Sequence, residues 1–488
     1  MRETRGHSAL FPTLAWVRWS IVPAVAFIAL CLDRGYQSDF WQHLARGIQI
    51  VAQGHVLHRD PFSFLTQSQV IRDANWLTQV MYWRAYRVGG LELVQVGNAL
   101  IVAMTLLVLI RHSYRKSNSL AAAMVAGAIA FLGLWQMLLI RPQTLSLLLF
   151  AILHEQLDVK QKRSLLILVP IIMALWSNLH GGFGIGLVLI AAWCLSEIAD
   201  NWIHGKAFTA KPILILALGF AGTLFNPWGA EIYRASSEIA LHASSRGIEE
   251  WLAPTMGSLA GEILFLSIVL IVALSIKTRR KPSIREGCLA ICFLPLAFHS
   301  TRMIAWWLLA MTPMLADLIS KIRTEEHPAR DVRPSWMAAA IMLLLGAEVA
   351  LSVPWMERYN PVMGTVRSGH RIESDVEAAA AHIPPGARVF TRLEWGGRLD
   401  CVLGANHSIC MDGWIELYSD PQWHDFQTVS AGQPGWQQIL DQWQVDCLLL
   451  DKSYHARLLE KVRESGQWEQ KIASGPTILL VRRNALQR

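Results

Sequence analysis

Apolar runs recur along this chain, each near the roughly 20 residues that a helix needs to cross a hydrocarbon core. They fall at 13–33, 91–110, 119–139, 142–157, 165–180, 184–201, 212–227, 259–276, 286–300, 303–320 and 335–354, about eleven candidate spans. A chain of this kind does not fold as a water-soluble globule. In lipid each backbone group must be satisfied within its own segment, so the runs read as membrane helices. Composition agrees: 53% of the 488 residues are hydrophobic and only 17% charged, and 21 Trp supply interfacial belts. The first run follows Arg2, Arg5 and Arg18 in the manner of a signal peptide. VPAVAFIALCL carries no small-x-small cleavage site, so it reads as an uncleaved first helix.

Basic clusters between the runs predict the orientation. Arg111/Arg115/Lys116, Lys160/Lys162/Arg163, Lys206/Lys211, Lys277/Arg279/Arg280/Lys281/Arg285 and Lys321/Arg323/Arg330/Arg333 fall in alternate loops, together with the N-terminus. By the positive-inside rule these loops are cytoplasmic, and an odd number of spans puts the C-terminus outside. The net charge of +7 is distributed over these loops, which is not a nucleic-acid signature. The seven Cys residues show no CxxC spacing. Cys401, Cys410 and Cys447 share the tail, where an oxidising compartment would allow one pair to be bridged.

The chemistry-bearing side chains then gather in the outer loops. The long first loop, 34–90, opens on SDFWQHLARGIQIVAQGHVLHRD. Asp39 and His43 are four apart, so a helix puts both on one face. Asp39 is the candidate general base, set to take a proton from an acceptor hydroxyl. The competing reading is an interfacial helix whose polar face is simply wet. Asp60, before Pro61, is either a substrate contact or an Asx-type turn. Arg141, His180, His299 and Arg302 are candidate ligands for an anionic head group, Arg being the natural fork for phosphate. For the two arginines, ordinary snorkelling competes. His180 is alternatively a packing histidine with Asn178 as its partner. Gly181, Gly182 and Gly184 in WSNLHGGFG would let backbone N–H groups approach a phosphate at the start of a helix. Glu249 and Glu250 read as solvated. Asp39 and His43 have ligand-like spacing, but two residues do not make a metal site. No metal ligand set is therefore assigned, and a divalent metal stays open as a cofactor. Walker A, HExxH and GxSxG motifs are absent from the sequence, and GFGIG follows no strand.

Beyond residue 354 the composition changes. ESDVEAAAAHI reads as a helix capped near Ser374, ARVFTRL and HSICMDG as strands, and GWQQILDQW as a helix. VDCLLLD, SYHARLLEKVRESG and PTILLVRR follow as strand, helix and strand. The expected organisation is a polytopic α-helical domain over 1–354 and a small extracytoplasmic α/β domain over 355–488.

The pattern D-x-W-x-H-L-x-x-G from Asp39 to Gly47, then HRDPFSF, RPQTLSLLLF, LWSNLHGGFGIG and FNPWGAEIY in that order, resembles the GT-C superfamily of membrane glycosyltransferases. Protein O-mannosyltransferases and lipid A aminoarabinose transferases are its familiar members. The resemblance covers 13–354 and implies a multi-pass enzyme of the bacterial inner membrane. It further implies a polyprenyl-phosphate-linked sugar as donor, membrane lipid as surroundings, and an acceptor whose identity it leaves open. Asp39 matches the superfamily's catalytic carboxylate, and Arg141 and Arg302 lie in loops where the superfamily contacts the donor phosphate. A single Asp stands here where better-known members carry an adjacent acidic pair. Inverting transfer is the expected reaction. A transporter or flippase of a lipid-linked sugar is the alternative, although the repeated halves common in transporters are not visible.

Overall fold

A computed structural model describes residues 13–33, 38–67, 69–158, 164–322, 336–359, 372–404 and 408–483. Lys160, Lys162, Arg163, Arg323, Arg330 and Arg333 lie outside the described residues. The chain divides into two compact units, Met1–Asp33 with Val88–Ala230 and Arg246–Arg367, and Arg34–Arg87 with Glu231–Ser245 and Ser368–Arg488. Chain order had assigned 34–90 to the membrane part; by packing, most of it belongs with the tail.

In its described residues the first unit is helical, and every apolar run of the sequence forms helix. Among the described residues, six helices are long and apolar enough to cross a membrane by length and composition: Leu14–Leu32, Trp76–Ser117, Leu120–Met137, Phe183–Ile203, Leu259–Thr278 and Thr301–Ser320. Trp76–Ser117 is interrupted at Gly89 and Gly90, where φ of +67° at Gly90 is a left-handed conformation that glycine adopts without a Cβ penalty. Leu165–Leu179, Lys211–Thr223 and Trp336–Ser352 are shorter apolar helices. Ser119, Ser258 and Ser283 cap their helices by accepting from backbone N–H groups, and Glu286 completes a capping box with Ser283. Ile304–Ser320 is the buried axis of the unit, and Trp307 in it donates to Ser267 at 2.9 Å.

The second unit holds a five-stranded sheet in the order β2-β1-β3-β5-β4. Its strands are β1 (Arg388–Thr391), β2 (Ser408–Ile409), β3 (Cys447–Asp451), β4 (Trp468–Ser474) and β5 (Thr477–Arg482). β2, β1 and β3 run parallel, whereas β5 is antiparallel to both β3 and β4. β3 is buried along its whole length, as five consecutive apolar-flanked positions in VDCLLLD require. β4 was not expected from sequence. Its residues are mostly exposed, so WEQKIAS carries little apolar alternation. The first tail helix is Ile372–Ala380, which places Ser374 inside the first turn and not at the cap.

Two insertions from the first loop complete this unit. The backbone at Phe62 and Phe64 exchanges hydrogen bonds with Ile409, 3.2 and 3.1 Å, adding a rung beyond β2. Helix Ser38–Gln53 lies against helix Leu393–Leu403, where a Cβ at Gly397 would stand 2.6 Å from the Gln42 backbone nitrogen. The glycines of WGGRL thus permit a close helix approach. Cys401, Cys410 and Cys447 are all free thiols, so the bridge allowed by the sequence is not made.

Candidate functional site

Arg141 immediately precedes helix Gln143–Asp158, and its carbonyl accepts from the Thr144 N–H and hydroxyl. Arg302 sits in the 3-10 turn Thr301–Met303, between helices Ile284–His299 and Ile304–Ser320. That turn is tied to a second one, Glu249–Trp251, because Thr301 donates its N–H to the Leu252 carbonyl at 2.9 Å. The result brings both arginines onto one carboxylate. Glu250 accepts from Arg141 Nη1 at 2.5 Å through Oε2 and from Arg302 Nη1 at 2.6 Å through Oε1. The Arg302 guanidinium also lies 5.1 Å from the Trp251 ring centre. All three charged side chains are partly buried. Two guanidiniums converging on one partly buried carboxylate are a donor arrangement that suits an anionic ligand.

His180 follows helix Leu165–Leu179 and is held by the next turn. Its Nδ1 accepts from the Gly182 N–H at 3.0 Å and meets Ser146 Oγ at 2.8 Å, while Trp176 Nε1 donates to the same hydroxyl at 2.6 Å. An Nδ1 that accepts puts the proton on Nε2, so the ring presents a donor there. A Cβ at Gly182 would stand 2.8 Å from the His180 ring, which is why glycine is needed; its N–H is engaged by that ring. Asn178 donates to the Ala174 and Phe225 carbonyls, joining its own helix to the segment after Lys211–Thr223. His299 is exposed at the end of its helix.

Asp39 and His43 both lie on helix Ser38–Gln53, as the spacing predicts, with Asp39 in its first turn. Both are half-buried, while Phe40, Trp41, Leu44 and Ala45 between and beside them are buried. His43 Nδ1 lies 3.2 Å from Gln79 Nε2, which donates to Asp73 Oδ2 at 2.5 Å. Burial pushes the Asp73 carboxyl up, against its hydrogen bonds. The helix approaches the Gln79 backbone at Gly47, where a Cβ would run into the Gln79 carbonyl oxygen.

Asp60 is 2% exposed and faces into the second unit. It accepts from Thr66 Oγ1 at 2.5 Å and from the Ser63 N–H at 3.2 Å, the turn geometry that Asp-Pro suggested. Sequence reasoning missed its partner Arg46, a residue read only as one of the x positions of the motif. Arg46 is 1% exposed, bonds Asp412 at 2.7 Å and Asp60 at 3.4 Å, and stacks 3.8 Å from the Trp414 ring centre. Burial alone would lower its pKa, but Asp412 and Asp60 outweigh it and keep the guanidinium charged. Asp400 completes the group. Burial pushes its carboxyl well above the usual range, Asp412 adds to the push, and Arg46 opposes it.

Among the described residues, a trio of side chains with metal-ligand chemistry comes together at His112, His154 and Asp158.

A helical unit with apolar spans and a second unit holding a small mixed sheet make up the described fold, and two solved structures share it. The oligosaccharyltransferase of Archaeoglobus fulgidus, in the apo form, is similar at a TM-score of 0.57 and 12% identity, over 91% of this chain and 71% of that one. ArnT from Cupriavidus metallidurans, bound to undecaprenyl phosphate, is similar at a TM-score of 0.50 and 12% identity, over 96% of this chain and 98% of that one. No protein-family model matches the chain, and no curated protein does. At this identity the likeness is one of fold.

Proposed function

We propose that the protein is an inverting membrane glycosyltransferase that moves a sugar from a polyprenyl-phosphate-linked donor to an acceptor hydroxyl at the outer face of the inner membrane. The observation that carries this reading is the convergence of Arg141 and Arg302 on Glu250, in a fold shared with a protein bound to undecaprenyl phosphate. About eleven spans, with the N-terminus inside and the sheet domain outside, complete the reading.

In the reaction, Asp39 takes the proton of the acceptor hydroxyl as its oxygen bonds to the anomeric carbon. The bond from that carbon to the phosphate oxygen breaks, and its electron pair leaves with the phosphate. Single displacement inverts the centre. Arg141 and Arg302 hold the phosphate and gain strength as negative charge develops on it, which is where electrostatic catalysis is largest. His180, through its protonated Nε2, His299 and Asn178 supply further polar contacts to the donor. Asp60 orders the acceptor side by fixing the turn after helix Ser38–Gln53. A divalent metal is compatible with Asp39 and His43 as oxygen and nitrogen ligands, but the proton transfer assigned to Asp39 does not need one.

The test is transfer of labelled sugar from a polyprenyl-phosphate lipid extract to a panel of acceptors, by the purified wild type beside Asp39→Asn. Transfer should fall by about 10²- to 10⁴-fold in the variant, the usual weight of a general base. Undiminished transfer removes Asp39 from the chemistry. Silence from both proteins, with labelled lipid crossing proteoliposomes, favours the flippase.

A further inference from the structure

We propose that His112, His154 and Asp158 form a binding site for one divalent transition-metal ion of the zinc type. His154 and Asp158 are four apart on helix Gln143–Asp158 and so share a face, and His112 reaches them from helix Trp76–Ser117. Their ligand atoms all lie within 4.8 Å of one another, a span that one ion at about 2 Å from each ligand closes with small side-chain rotations. The two imidazoles are 3% and 2% exposed, with ring centres 4.6 Å apart.

Ordinary packing leaves one atom unexplained. His112 Nε2 lies 2.5 Å from Asp158 Oδ2, a satisfied pair. Nδ1 of His154 is buried without any hydrogen-bond partner, a state that buried polar nitrogens in folded proteins rarely keep. A metal ion supplies the missing partner.

The surroundings select the ion. Arg285 Nη1 lies 2.6 Å from Asp158 Oδ1, which leaves Oδ2, now paired with His112, as the oxygen that would turn to the ion together with that imidazole. Glu155 is taken by Arg111 and Arg115. A hard cation such as Mg²⁺ or Ca²⁺ needs more anionic oxygen than remains, whereas zinc-type ions accept two neutral imidazoles and one carboxylate. Arg285 then acts as the outer partner that orients the carboxylate. The bound ion fastens helix Gln143–Asp158, which begins beside Arg141, to the helix carrying His112. This inference does not depend on the transferase reading.

The experiment is equilibrium dialysis of the full-length protein in detergent against Zn²⁺ and, separately, Co²⁺, with metal counted by mass spectrometry and Co²⁺ read by its visible spectrum. The wild type should hold about one equivalent, with the intense low-coordinate Co²⁺ bands that three protein ligands give. His154→Gln and His112→Gln should each weaken binding at least about 10-fold, whereas exposed His382→Gln should not. The proposal fails if the wild type holds no more metal than His154→Gln, or if His382→Gln loses as much. Should either site variant aggregate, the other is read; a wild type without Co²⁺ bands overturns the proposal by itself.

Discussion

The Glu250 carboxylate bridges the guanidiniums of Arg141 and Arg302. Under the proposed transferase reading that is the place of the donor phosphate, so donor binding would displace Glu250 or share with it. Removing Arg141 as Arg141→Ala deletes a charge-assisted hydrogen bond, typically about 1.5–3 kcal/mol, or roughly 10- to 150-fold. That loss should appear in the KM for the donor with little change in the KM for the acceptor; equal changes in both would make Arg141 structural. Glu250→Gln should shift donor KM downward, because the competing charge is gone. The two arginines stood out in the sequence as cations beside membrane spans. Glu250 did not, because its partners lie 109 and 52 residues away along the chain and a lone acid in a polar loop carries no mark of the pairing. His180 was legible as a polar exception, but its hold on Gly182 rests on a backbone turn that composition does not reveal.

Among the elements, helix Ser38–Gln53 was the clearest in outline and the least clear in partnership. Its face with Asp39 and His43 followed from spacing alone. Its other side carries Gln42 and Arg46 among apolar residues, and it was not evident that this side packs against a helix near the opposite end of the chain. The glycines of WGGRL look like turn formers in sequence, yet Gly397 lies inside a helix and admits Gln42. The acidic group around Arg46 gives this packing a pH dependence. Burial pushes the Asp400 carboxyl well above its usual range, while in the unfolded chain it ionises in the ordinary carboxylate range. The folded state therefore binds more protons, and this contribution to stability is full below the ordinary carboxylate pKa and declines as pH rises toward the elevated one. As pH rises above the ordinary carboxylate range, the unfolding temperature of the second unit, followed by tryptophan fluorescence, should fall. Asp400→Asn should flatten that slope, and an unaltered slope would assign the effect to another group.

For the whole molecule, the apolar runs and the change in composition after residue 354 were enough to read a multi-pass α-helical protein with an α/β tail, and the likeness in fold to the two solved structures agrees. Spatial grouping was not readable, because residues 34–87 and 368–488 become one unit only through contacts that no local pattern encodes. Orientation remains a charge argument. A single added cysteine at the exposed Lys281 position, Lys281→Cys in a background free of other accessible thiols, should react with an impermeant maleimide only from the cytoplasmic side. Reaction from the outside would invert the topology. The rung that Phe62 and Phe64 add beside Ile409 also imposes an order of events on biogenesis. Ser63 donates to the Cys410 carbonyl across 347 positions, and a ribosome adding about 5–20 residues per second takes roughly 20–70 s to cover that distance. During this interval the early segment is without its partner strand, while most of the apolar helices are still being made. The sheet domain is thus the last part of the protein able to mature, and the waiting segment is the point at which chaperones or proteases would find the nascent chain most open.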